Sequence, residues 1–150
     1  VSTYDQKPEM SAYLVKDELI KRLQSGKYSV VICNFANTDM VGHTAVPDAI
    51  MKAVEAVDDC LSQIIPELLK LDGSAFITAD HGNAEQMIDD NGIPLTAHTT
   101  NLVPLIYVSN DKKSAEIKTG GRLCDVAPTM LNLLGVKVPE EMTGVNLIEC

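Results

Sequence analysis

Two short apolar runs, each breaking off into a polar motif, constrain this chain more than any other feature. Residues 29–35 read Ser-Val-Val-Ile-Cys-Asn-Phe, and residues 74–79 read Ser-Ala-Phe-Ile-Thr-Ala. Neither shows the apolar–polar alternation of a strand with one wet face. Continuous runs of this length are expected as strands covered on both faces, as in parallel sheets. Helical patterns lie between and around them. From Ser11 to Gln24, Leu14, Val15, Leu19, Ile20 and Leu23 recur at helical spacing, and Ser25-Gly26 ends the run. A second helix is expected from Pro47, whose fixed φ and missing N–H suit a first helical position. Its apolar face would be Ile50, Val54, Val57, Leu61, Ile64 and Leu68. Pro66 should kink or break it, and Asp72-Gly73 should close it.

Further along, the segment from Met87 to Leu95 is split by Asp89-Asp90-Asn91-Gly92, a hairpin signal. Leu102 to Val108 is a third apolar run, and Val126 to Leu134 is a helix stopped by Gly135. The tail, with Pro139 and Gly144, reads as a wrapping segment. Helices alternating with buried strands predict an α/β fold: a mostly parallel sheet with helices on both faces.

Composition then narrows the function classes. With 150 residues and 45% of them hydrophobic, one globular domain with a real core is expected. The formal net charge of −9 is scattered and leaves no basic face, which argues against nucleic acid as a partner. Arg22 and Arg122 are the only arginines and stand far apart, so the chain is poorly equipped to grip a phosphorylated molecule. No apolar run is long enough to span a bilayer and no signal peptide opens the sequence, so neither membrane nor secretion is expected. Cys33, Cys60, Cys124 and Cys150 are widely spaced, and buried thiols in a reducing cytoplasm explain them best.

All three histidines lie in polar motifs with aspartate or threonine beside them. Asp39 and His43 belong to Asn-Thr-Asp-Met-Val-Gly-His-Thr, Asp80 and His81 to Thr-Ala-Asp-His-Gly-Asn, and His98 to Thr-Ala-His-Thr-Thr-Asn. Carboxylate oxygen and neutral imidazole nitrogen together suit Mn, Zn or Fe. Asp39 and Asp80 each follow the carboxyl end of an expected strand, the rim where ligands collect in open α/β sheets. If the loop coils, Asp39 and His43 lie one helical turn apart and can face one ion. His98 is the third candidate ligand, and three protein ligands with open positions describe a catalytic rather than a structural site. Asp80 and His81 form a second ligand pair, and two ions can clamp a phosphate from both sides. Any one motif alone is as well read as a hydrogen-bonded turn; the three together favour a metal. The chain falls short of a nucleophile: Ser62 reads as a solvated helix residue, and a hydrogen bond to a carboxylate explains Thr44 and Thr99 as well as a catalytic role does. Gly120-Gly121 reads as a turn rather than a phosphate cradle. So few residues separate His98 from Val108 that the last strand is expected to run antiparallel.

The segment from Asn34 to Thr44 resembles the cofactor-independent phosphoglycerate mutases, of the alkaline phosphatase superfamily. The likeness extends to Thr78–Glu85, Ala97–Asn101 and Leu123–Thr129, from near Tyr4 to the C-terminus. The resemblance implies interconversion of 2-phosphoglycerate and 3-phosphoglycerate in glycolysis through a phosphoserine, with two Mn ions (Zn, Mg or Co as alternatives). It implies that Asp39, His43 and His98 hold one ion, and that Asp80 and His81 give part of the shell of the other; Asn37 receives no ligand role. Thr38 stands where many members carry proline. Family members are much longer, so residues 1–150 are expected to be the C-terminal portion of the metal-binding phosphatase domain. The nucleophilic serine and the substrate-binding arginines would lie upstream, leaving no catalytic residue here. Such a portion is expected to be inactive alone, to meet its small-molecule phosphoglycerate only through the missing domain, and to self-associate through uncovered apolar surface. The rival readings are a phosphopentomutase-like or phosphatase-like metalloenzyme and a non-catalytic metal-binding module.

Overall fold

The computed structural model describes residues 2–111 and 115–149. The chain divides into two compact units, Val1–Val108 and Ser109–Cys150.

The first unit is organised around one long helix. Helix α1 spans Ala12–Gln24, α2 spans Asn37–Gly42 and α3 spans Pro47–Lys70, and both shorter helices pack against α3. Pro47 opens α3 as expected. The buried stripe keeps Ile50 and Ile64 of the expected face and shifts otherwise toward small residues. Ala49, Ile50, Ala53, Ala56, Cys60 and Ile64 are buried, whereas Val54 is 47% exposed. Small side chains let neighbouring helices come close, so the alanine edge of the amphipathic stripe turns inward. Pro66 neither breaks nor ends α3. It lies on an exposed face with Ser62, whose carbonyl loses its intrahelical donor there and can be hydrated instead. The helix closes where expected, through bonds from the Asp72 and Gly73 N–H groups to the carbonyls of Leu69 and Leu68. Asp72, with φ of +54°, takes the left-handed position of that cap.

Two apolar clusters hang from α3. Ala12, Cys60 and Ile64 gather Leu19, Ile20, Leu23 and Phe35 around them. Val41 of α2 packs with Ala49, Ile50 and Ala53, and Ala84 and Met87 close over that group. Val41 is fully buried and sits about 200° around the helix from both Asp39 and His43. Its burial therefore turns those two side chains away from α3 together.

Strand β1, Ala75–Thr78, pairs with β2, Leu105–Val108, in antiparallel register, with Phe76 opposite Tyr107. The antiparallel sense of β2 agrees with the expectation drawn from the short distance to His98. The hairpin before it also forms, with an antiparallel bridge between Ile88 and Pro94. The run from Ser29 to Phe35 departs from expectation. It joins no ladder, and Val30, Val31 and Ile32 are 41%, 37% and 87% exposed. A strand exists only through its neighbours, and no described residue pairs with this one. Leu14, 72% exposed, and Val15 and Leu19 of α1 line an open apolar groove beside it.

The second unit pairs β3, Glu116–Ile117, with β4, Ile148–Glu149, again antiparallel, and carries helix α4, Val126–Leu133. Both ladders among the described residues are thus antiparallel, in place of the expected mostly parallel sheet. The tail backbone returns to the start of α4. Val145 N–H donates to Asp125, and Leu147 N–H donates to the fully buried Thr129 hydroxyl. Cys33, Cys60 and Cys124 are free thiols, of which only Cys60 is buried, against the expectation of burial for all; Cys150 lies outside the described residues. Among the described residues no helix is long and apolar enough to cross a membrane.

Candidate metal centre

Residues from two distant segments, Asp39 with His43 and then His98, meet at one point. Asp39 lies in the first turn of α2 and His43 caps its end, so the helix stacks them one turn apart. His98 arrives from the segment after the hairpin, held by the bond from Thr99 N–H to Gly82 carbonyl, 2.8 Å long. His98 Nε2 stands 3.1 Å from Asp39 Oδ1 and 3.3 Å from His43 Nε2, and His43 Nε2 stands 3.3 Å from Asp39 Oδ1. Around an ion with ligand bonds of about 2.0–2.1 Å, tetrahedral neighbours stand about 3.3–3.4 Å apart. The triangle therefore has the dimensions of one face of a metal coordination shell.

Proton placement agrees with that fit. His43 Nδ1 lies 2.6 Å from the Thr96 carbonyl, which can only accept, so the ring proton sits on Nδ1. In the neutral ring the Nε2 lone pair then points into the triangle, as a ligand requires. All three side chains are partly exposed, leaving room for a further ligand from solution.

Asp80 and His81 do not join this triangle. Asp80 follows the end of β1 as expected, but its side chain is 78% exposed and 3.7 Å from His81 Nε2. The His81 ring stacks on that of His98, with centroids 3.7 Å apart and 18° between planes. Asn37 is buried and donates to the Pro8 carbonyl, a purely structural contact. Ser62 donates along its own helix to Asp59. Thr99 donates to the Glu85 carboxylate, in line with the expectation for it, whereas Thr44 bonds the Val41 carbonyl rather than a carboxylate.

Spacing of metal-ligand residues alone misses two groups here. Asn83 donates its side-chain amide to Asp39 Oδ1 at 2.8 Å and to the Asp39 carbonyl at 3.2 Å. Glu85 accepts from Asn83 N–H at 2.6 Å, from Thr99 hydroxyl, and from Asn101 amide at 3.0 Å. These bonds, that from Thr99 foremost, hold the Glu85 carboxyl below the ordinary carboxylate range. Their only local signal is Asn and Glu just after Asp80-His81-Gly82, in a motif otherwise read for its ligands.

Comparisons with known proteins agree with this chemistry. The profile of the metalloenzyme superfamily matches residues 1–138. The 2,3-bisphosphoglycerate-independent phosphoglycerate mutase of Clostridium tetani is 61% identical over 150 residues, covering 99% of this chain and 29% of that protein. The enzyme of the same name from Clostridium acetobutylicum is also 61% identical, with the same coverage of both. Among solved structures, a phosphoglycerate mutase of Leishmania mexicana, studied at low cobalt concentration, superposes with a TM-score of 0.87 at 34% identity. That match covers 98% of this chain and 30% of the Leishmania chain. The present chain thus spans less than a third of the length of these relatives.

Proposed function

The chain belongs to the metalloenzyme superfamily, and from that membership we propose that it carries part of the metal centre of a phosphoglycerate mutase. The activity would be the interconversion of 2-phosphoglycerate and 3-phosphoglycerate, performed by the whole protein. One observation carries this reading: Asp39 Oδ1, His43 Nε2 and His98 Nε2 converge within 3.3 Å of one another in a chain 61% identical to such mutases. These three would hold one ion, and Asp80 with His81 would contribute to a second. When bound, manganese, or zinc, magnesium or cobalt in its place, would act as a Lewis acid that neutralises charge on a transferring phosphoryl group.

The chain's own residues account for holding ions and little else. Arg22 is engaged by Glu18 at 2.6 Å and by the Tyr28 hydroxyl at 3.1 Å, away from the triangle's ligands in sequence and in bonding. The candidate hydroxyls Ser62, Thr44 and Thr99 all donate within the fold. In this reading the nucleophile and the substrate-binding cations belong to the remaining length that relatives possess, and residues 1–150 alone are inactive. The exposed run from Ser29 to Phe35 would then enter a mostly parallel sheet when flanked by strands from that remainder. Without them its apolar groove favours self-association. The free thiols support a cytoplasmic setting.

The test is a mutase assay on this chain alone and after addition of the N-terminal remainder of a relative such as the Clostridium tetani enzyme. Activity only after addition, lost again with His43→Ala, is the expected result. Turnover by residues 1–150 alone would overturn the division of labour, and retention of activity in His43→Ala would overturn the metal assignment.

A further inference from the structure

We infer that Glu85 is a positioning residue that clamps together the two loops feeding the metal centre, setting Asp39 and His98 in place through Asn83 and Thr99. The inference rests on the metal-centre reading above. Glu85 touches none of the three ligand atoms. Its carboxylate instead divides between the loops. Oε2 accepts the Asn83 N–H at 2.6 Å, and Oε1 accepts both the Thr99 hydroxyl and the Asn101 amide. Two of these contacts lie one step from a ligand: Asn83 through its hydrogen bond to Asp39, and Thr99 through its peptide bond to His98. With its backbone held by Glu85, Asn83 reaches across to donate to Asp39 Oδ1 at 2.8 Å, the oxygen that also faces both imidazoles. Thr99 adjoins His98 and is fixed at two points, by its hydroxyl on Glu85 and its N–H on the Gly82 carbonyl.

Two glycines make space for this arrangement, an observation independent of the bonds themselves. A Cβ on Gly82 would collide with both the Thr99 hydroxyl and the Glu85 carboxylate. A Cβ on Gly42 would stand 2.5 Å from the Asn83 side-chain oxygen, pushing that amide off Asp39. Side chains are thus excluded at the two places where the clamp closes. Only a carboxylate suits position 85, because all its partners are donors and an ionised carboxylate offers about four acceptor sites. Glutamine presents one oxygen and turns an N–H₂ group toward a donor. The ion then meets ligands already aimed, which is how outer hydrogen bonds raise metal affinity.

The test titrates cobalt(II) into the 150-residue chain and follows its visible absorption, which reports ligand geometry, alongside far-ultraviolet circular dichroism. Glu85→Gln and Thr99→Val are each expected to weaken cobalt binding by roughly 10–100-fold and to change the spectrum, with helix content preserved. The double variant should be no weaker than the worse single variant, because both break one clamp. Cobalt affinity and spectrum unchanged in Glu85→Gln would overturn the inference, and so would additive losses in the double variant. Should Glu85→Gln fail to fold, Thr99→Ser against Thr99→Val decides: the hydroxyl of serine must restore the spectrum that valine loses. Failure of the unmutated chain to take up cobalt would overturn the metal reading and this inference together. Binding that the variants leave intact overturns only this inference.

Discussion

Asp39 and Asp125 stand at the start of helices, and their surroundings are opposite in kind. Asp125 is 3% exposed, and its two oxygens accept the backbone N–H groups of Arg122 and Val145 at 2.7 and 2.8 Å. Beside it the fully buried Thr129 hydroxyl donates to the Asp125 carbonyl and accepts from Leu147 N–H. Donors and acceptors match, and the network closes on itself. Around Asp39 one amide donates, and the other neighbours are two imidazole nitrogens at 3.1 and 3.3 Å. One of those imidazoles has its proton committed elsewhere, to the Thr96 carbonyl. A balanced polar network holds a fold together, whereas carboxylate oxygen and imidazole nitrogens converging on one partly exposed point suit a cation. Residue type does not separate the two carboxylates; the groups around them do.

That contrast can be broken at several points. The largest effect is expected from Asp39→Asn, which should lower manganese affinity by more than the roughly 100-fold that losing an outer partner costs at most. Its thermal midpoint should barely move, so calorimetric titration and melting together check the assignment. Thr129→Val should do the reverse. Leaving Leu147 N–H buried without its acceptor is expected to cost about 1–3 kcal/mol of stability by denaturant titration, with manganese affinity unchanged.

A pH series sharpens the same contrast. The Val145 N–H first, and then that of Arg122, hold the Asp125 carboxyl below its ordinary value. Its stabilisation is therefore fully present above about pH 4, the unfolded carboxylate range, and is lost as pH falls through the depressed value. The melting difference between the unmutated chain and Asp125→Asn should shrink in that acid window and stay constant above it. The smallest effect belongs to Asp80→Asn. With a side chain 78% exposed and outside the triangle, it should leave the affinity of the Asp39–His43–His98 site within about threefold. A larger loss would mean that Asp80 shares the first ion.

Much of the secondary structure was legible because it depends on residues near in sequence. Apolar spacing marks α1 and α4, Pro47 opens α3, and Asp72-Gly73 closes it. The runs ending at Thr78 and Val108 become β1 and β2, and the antiparallel sense of β2 follows from the short reach back to His98. The ligand candidates were legible for a similar reason, since imidazole and carboxylate carry their chemistry wherever the chain puts them.

Tertiary structure decided everything that needs a neighbour. Which edge of the α3 stripe turns inward depends on how closely α1 and α2 approach, so Ala53 and Ala56 are buried and Val54 is not. The run from Ser29 to Phe35 has the composition of a strand, but hydrogen bonding in a sheet is a property of pairs, and no partner is present among the described residues. Asn83 and Glu85 gain their roles only once the Gly82 and Thr99 backbones bridge. Local chemistry is written in side chains one at a time; packing, pairing and hydrogen-bond balance are written only in the contacts between them.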